Sequence, residues 1–89
     1  GWQCAAGANG TLEITLPGSA KQAYLFASFA SGSQGTVTVT GNNGSKQVFS
    51  ASSATIPTLL ALTKDQTHFK VTAAITAGSF TVYGIALDQ

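Results

Sequence analysis

The chain has no arginine, no methionine, one cysteine and two prolines, and only seven of its 89 residues are charged. Each scarcity excludes something. Without arginine, and with four lysines scattered as Lys21, Lys46, Lys64 and Lys70, there is no cationic stripe to neutralise phosphates, so nucleic acid is not an expected partner. A net charge of +1 provides no electrostatic steering. The single cysteine, Cys4, cannot close a disulfide within the chain, and no Cys/His cluster has the spacing of a structural zinc site. No apolar run approaches the ~20 residues of a membrane-spanning helix, so membrane insertion is not expected either. With no methionine at its start and no signal peptide, the chain reads as a processed mature protein or an excised domain.

What fills the surface in place of charge is Thr, Ser, Ala, Asn, Gln and Gly. A folded chain of this mass exposes on the order of 4,900 Å². A typical domain has about 25% charged residues; this one has 8%. Such a surface suits contact with other subunits, or with neutral polar ligands such as glycans. The length makes one domain. A chain this short buries only about 60–65% of its unfolded surface. Small domains add disulfides, metal or oligomerisation to a modest core. The first two are missing here, which leaves a homo-oligomer or burial in a larger assembly.

The hydrophobic pattern has period two throughout. Thr11–Leu16 places Leu12, Ile14 and Leu16 on one face and Thr11, Glu13 and Thr15 on the other, as a half-buried strand does, and Pro17-Gly18 ends it. Gln22–Ala30 is apolar on both faces, with Leu25, Ala27 and Phe29 opposite Tyr24, Phe26 and Ser28. Such a strand is central in its sheet, or has its outer face covered by a partner. Thr36–Thr40, the turn Gly41-Asn42-Asn43-Gly44 and Lys46–Ser50 predict a hairpin, because Asn and Gly tolerate the positive φ of tight turns. Ala51–Pro57 reads as a loop, Thr58–Thr63 as a short strand in preference to a helical turn, and Lys64–Gln66 as a polar turn. Thr67–Ile75 alternates again, with Phe69, Val71, Ala73 and Ile75 inward and His68, Lys70 and Thr72 outward. After a turn at Ala77-Gly78, Phe80–Leu87 switches its apolar face between Val82 and Tyr83, which places a β-bulge at Gly84. Residues 1–10 have no clear period and read as a lead-in or anchoring segment before a single domain over 11–89; Trp2 there should dock on its own sandwich, a neighbouring subunit or a ligand. Seven or eight short strands and no helix-period segment predict an all-β fold: an antiparallel two-sheet β-sandwich of jelly-roll or Greek-key topology.

Little in the chain supports catalysis. A nucleophile needs a base and an orienting group in contact with it; Cys4 and His68 are the sole residues of their types, and nothing in the spacing joins them. Glu13, Asp65 and Asp88 fall in a strand, a turn and the tail, and read as surface charge in preference to a carboxylate pair. Asp65, His68 and Asp88 match no metal-binding spacing. No enzyme, metal or cofactor is therefore expected. Thr36, Thr38 and Thr40 form a ladder of the kind that orders water when repeated over several strands, but in the sequence it occupies one strand. Phe26, Phe29, Phe49, Phe69 and Phe80 are discounted as glycan contacts, since most aromatics of a small sandwich are core. Candidate glycan contacts are Trp2, Asn42 and Asn43, with Asn9, Tyr24 and Tyr83 beside them, although the turn alone explains Asn42 and Asn43.

The stretches AYLFASFAS, GTVTVTGNNGS and GSFTVYGIALD resemble small sandwich domains of phage virions: fibre or spike knobs and jelly-roll decoration proteins. They are also similar to small carbohydrate-binding sandwiches. The likeness covers residues 11–88 in general pattern and transfers no site residue. It implies an oligomer, often a trimer, on a virion or an extracellular surface, though residues 1–10 are too short for the stalk of a fibre knob. The expectation is thus a non-enzymatic structural or attachment module with Trp2, Tyr24, Phe26 and Tyr83 as interface anchors and Cys4 as a candidate interchain thiol. The alternatives are a carbohydrate-binding module, or a filament subunit whose N-terminal segment contacts the next subunit.

Overall fold

A computed structural model describes residues 2–7, 9–16, 22–41, 46–51, 58–61 and 67–88. Its regular elements are strands β1 (Trp2–Ala5), β2 (Asn9–Thr15), β3 (Gln22–Phe29), β4 (Gln34–Gly41), β5 (Lys46–Ser50), β6 (Thr58–Ala61), β7 (His68–Ala77) and β8 (Ser79–Asp88). They form two four-stranded sheets of order β1-β8-β3-β6 and β2-β7-β4-β5, antiparallel at every pairing. The pairings are nested. β4 pairs with β5, β3 with β6, β2 with β7, and β1 with β8.

One core holds the two sheets face to face. Alternate residues of β3 and β8 (Ala23, Leu25, Ala27, Phe29; Phe80, Val82) meet alternate residues of β4 and β7 (Val37, Val39; Phe69, Val71, Ala73, Ile75) in a single buried cluster. Phe69, Phe80, Leu25, Val37, Val39 and Val71 are its largest fully buried side chains. Burying each contributes about 1.5–3 kcal/mol, so these six positions dominate the stability of a domain this small. Phe29 and Phe80 stack at a tilt, with centroids 4.9 Å apart.

Several sequence expectations are met. β2, β3, β7 and β8 lie where the alternation puts them, Thr58–Ala61 is a strand, and β4 and β5 pair as a hairpin, although its turn, residues 42–45, lies outside the described residues. The loop over 52–57 and the turn over 64–66 lie outside them too. The bulge is present one residue earlier than expected. Phe26 pairs with Gly84 and Ala27 with Val82, so Tyr83 is the extra residue. The dual apolar character of Gln22–Phe29 has its first explanation, because β3 lies between β8 and β6.

The reading of residues 1–10 as a lead-in is corrected. Trp2–Ala5 is a strand paired with Val82–Ser79, and Asn9 and Gly10 already belong to β2. Four residues are too few to display a period, yet Cys4 points into the core and Trp2 packs against its edge. Gly10 makes room for both: a Cβ there would stand 2.8 Å from Trp2 Cζ2 and 3.1 Å from Cys4 Sγ. The ends of the strands are tied to one another as well. Ser33, in the β3–β4 turn, donates from its hydroxyl to the Ala30 carbonyl at 2.6 Å and accepts from the Ser79 amide at 3.1 Å. Gly78 between β7 and β8 has φ of 77°, and a Cβ on it would stand 2.7 Å from Ser33 Cα, so glycine is required both for the conformation and for the approach.

Candidate functional site

With both inner faces consumed by the core, function has to lie on the outer faces, the edges or the ends, and the two outer faces differ. On the β1-β8-β3-β6 sheet, β3 presents Tyr24, Phe26 and Ser28, β8 presents Thr81, Tyr83 and Ala86, and β1 presents Gln3 and Ala5; no described side chain on this face is charged. Phe26 is 37% exposed and Tyr83 50% exposed. Their rings lie 5.8 Å apart at 55°, within the range of a favourable tilted aromatic pair. The bulge creates this pair: the extra residue in β8 turns Tyr83 outward beside Phe26, where its phenol oxygen lies 3.1 Å from Ser28 Oγ. Next to the pair is an open apolar depression of about 310 Å³, lined by Phe26, Gly84, Ile85 and Ala86.

The outer face of the β2-β7-β4-β5 sheet is hydroxylated and charged. Register aligns Thr11, Thr72 and Thr38 in one row across β2, β7 and β4, ending on Val48 of β5, which is 57% exposed. The threonine ladder expected in one strand thus extends sideways over three. The neighbouring row runs Glu13, Lys70, Thr40, Lys46, and it contains every charged side chain whose exposure is described. At its border His68 Nε2 lies 3.3 Å from Glu13 Oε1 and His68 Nδ1 lies 3.2 Å from Thr15 Oγ1. A neutral ring with its proton on Nε2 donates to the carboxylate and accepts from the hydroxyl. Both members of the pair are well exposed, at 43% and 67%. The cluster therefore contributes little to stability; it sets a hydroxyl, an imidazole and a carboxylate side by side on the exposed face.

The sequence-derived candidates separate accordingly. Phe26 and Tyr83 come together, with Tyr24 half-buried on the same face. Phe26 leaves the set of core phenylalanines, while Phe29, Phe69 and Phe80 are buried and Phe49 packs partly against the core. Trp2 is half-buried against its own sandwich, the first of its three expected docking places, and with Tyr83 it lines an open depression of about 350 Å³. Cys4 is corrected. It is 3% exposed, and its sulfur packs near the Ala73 carbonyl at 3.8 Å, so it cannot reach a second chain while β1 stays in its sheet. Asn42, Asn43 and Asp65 lie outside the described residues. Among the described residues no group of three His, Cys, Asp or Glu side chains is placed to hold a metal ion, and no helix is long and apolar enough to cross a membrane. No protein-family model, curated protein or solved structure matches the chain.

Proposed function

We propose that the chain is a non-enzymatic structural or attachment module, a fibre or spike tip or a decoration subunit of a virion, that works by packing the outer face of the β1-β8-β3-β6 sheet against other subunits. The observation that carries this reading is the exposed Phe26–Tyr83 pair on a face with no described charge. Aromatic anchors surrounded by neutral side chains are what buried interfaces are built from, and charge is depleted at their centres. The nested pairing supports a jelly-roll topology, in which one long antiparallel hairpin is rolled so that successive strand pairs alternate between two sheets. A trimer is the expected assembly, on a virion or an extracellular surface.

A carbohydrate-binding role is the second reading, favoured by one detail of the same face. The Tyr83 ring is half exposed beside the Ser28 hydroxyl, a neutral surface on which a sugar ring can stack and hydrogen-bond. Light scattering over a dilution series separates the two. The assembly reading expects a concentration-stable oligomer that Phe26→Ser converts to monomer. A monomer at every concentration, with tyrosine-dependent binding on a glycan array, would overturn it in favour of the second.

A further inference from the structure

The contact between His68 and Glu13 is long for an ion pair and has the length of a different arrangement. Its Nε2–Oε1 distance is 3.3 Å. A charge-assisted hydrogen bond from nitrogen to a carboxylate closes to about 2.7–2.9 Å. Zinc binds imidazole nitrogen at about 2.0–2.1 Å and carboxylate oxygen at about 2.0–2.2 Å, so two such ligands on one tetrahedral ion stand about 3.3–3.4 Å apart. The imidazole and the carboxylate are thus spaced as one edge of that tetrahedron.

The β2–β7 ladder places both ligands. Thr15 faces His68 directly across it, and Glu13, opposite Lys70, is the diagonal neighbour of His68. Diagonal neighbours on one sheet face are within reach of long side chains. The second ring nitrogen, Nδ1, lies 3.2 Å from Thr15 Oγ1. A neutral ring therefore has two tautomers to choose from. With its proton on Nε2 it donates to Glu13. With its proton on Nδ1 it donates to the Thr15 hydroxyl, and the Nε2 lone pair and the carboxylate converge on the space between them. Metal-bound histidines are held in this second way, by a partner on the nitrogen that does not bind the metal. The ring proton only changes nitrogen, so uptake of an ion by the neutral ring releases none.

We propose that His68 and Glu13 are half of a zinc site, completed by the same pair from a second copy of the chain across a two-fold axis through the ion. Imidazole with carboxylate suits zinc, whereas magnesium and calcium take oxygen ligands. Zinc sites in proteins have three or four protein ligands. One chain supplies two, because among the described residues no group of three His, Cys, Asp or Glu side chains is placed to hold a metal ion. A two-fold contact is self-complementary, so a second copy turns this half-site into a closed set of two imidazoles and two carboxylates with no further residue. Both side chains are open to such an approach, at 43% and 67% exposure. The two carboxylates balance the charge of the ion. Lys70, opposite Glu13, is exposed, and its flexible stem lets the ammonium turn to water. The site belongs to the β2-β7-β4-β5 sheet, and the Phe26–Tyr83 pair to the other, so this contact is independent of the one proposed above.

The test titrates the full chain with zinc and follows the imidazole proton resonances of His68, the sole histidine, together with the mass by light scattering. The resonances are expected to shift and to saturate at one ion per two chains, and the mass to double relative to a sample held in EDTA. Magnesium should do neither. His68→Ala and Glu13→Gln, both at exposed positions, should fold with an unchanged core and lose both responses. Unshifted His68 resonances at excess zinc overturn the proposal, as does a zinc response that survives in either variant. Saturation at one ion per chain with unchanged mass means that water completes the coordination, and it overturns the shared site. Phe26→Ser, which disables the other face, should leave the zinc response intact, and EDTA should leave assembly through Phe26 intact, so either reading can fail without the other.

Discussion

The two outer faces of this sandwich are built on the same alternation, over the same core, and differ in what the outward positions carry. Across β1-β8-β3-β6 they carry an aromatic pair and no described charge. Across β2-β7-β4-β5 they carry a three-strand row of threonines beside Glu13, Lys70 and Lys46. Hydroxyls and charges keep a sheet face hydrated, and aromatic rings do not. The difference teaches that the charge on the described side chains is not evenly spread. The described charge is gathered on one side, and the other side is left free to lose water at low cost when it meets a surface. Burying an unpaired charge costs far more than burying a ring or a satisfied hydroxyl.

That contrast can be broken or sharpened by substitution. The largest effect is expected in the shared interior: Phe80→Ala, at a position 0% exposed, should cost about 3–5 kcal/mol. This is a large part of the ~5–15 kcal/mol by which domains are stable. Both faces should be lost together, seen as a single shift of the urea midpoint with either tyrosine or tryptophan as probe. A matched pair separates the faces. Phe26→Ser should lower monomer stability by about 0.5–1.5 kcal/mol through loss of the aromatic contact and reduce the mass measured by light scattering. Thr38→Ser should change stability by less than about 0.5 kcal/mol and leave the mass unaltered. A change of mass in Thr38→Ser alone would invert the assignment of faces. The smallest effect is expected at the charged border. Glu13→Gln removes an exposed pair with His68 worth about 0–1 kcal/mol. Its effect on the melting temperature should vanish in molar salt.

How much of this the sequence contained depends on the distance over which each feature is encoded. Alternation is local, so β2, β3, β4, β7 and β8 were legible, as were the pairing of β4 with β5 and the bulge near Gly84. β1 was not, because WQCA has two inward residues and a pattern needs more. The threonine row was visible only as Thr36, Thr38 and Thr40. Thr11 and Thr72 join it through strand register, which brings together residues remote in sequence. The contact of Glu13 with His68 spans 55 positions and left no local sign. Phe26 was legible as an aromatic on the second face of an apolar strand; its pairing with Tyr83 required a bulge placed to the residue.

The nested strand order has a consequence for how the protein is made. The interior strands of the two sheets are β7 with β4, and β8 with β3, so each sheet is completed by one of the last two described strands. Before β7 emerges, β2 has no ladder; before β8 emerges, β1 has none and β3 has only β6. Trp2 waits for Val82, nearly the whole chain away, and contacts this remote in sequence make folding slow, about milliseconds to seconds in domains of this kind. Among the described strands, β4 with β5 is the one pairing between consecutive strands, and it is the natural seed. From there the sheets close outward, β3 with β6, β2 with β7, and β1 with β8 last. A nascent chain interrupted ahead of β8 therefore holds apolar strands without partners, and folding is in effect deferred until synthesis has passed through Asp88.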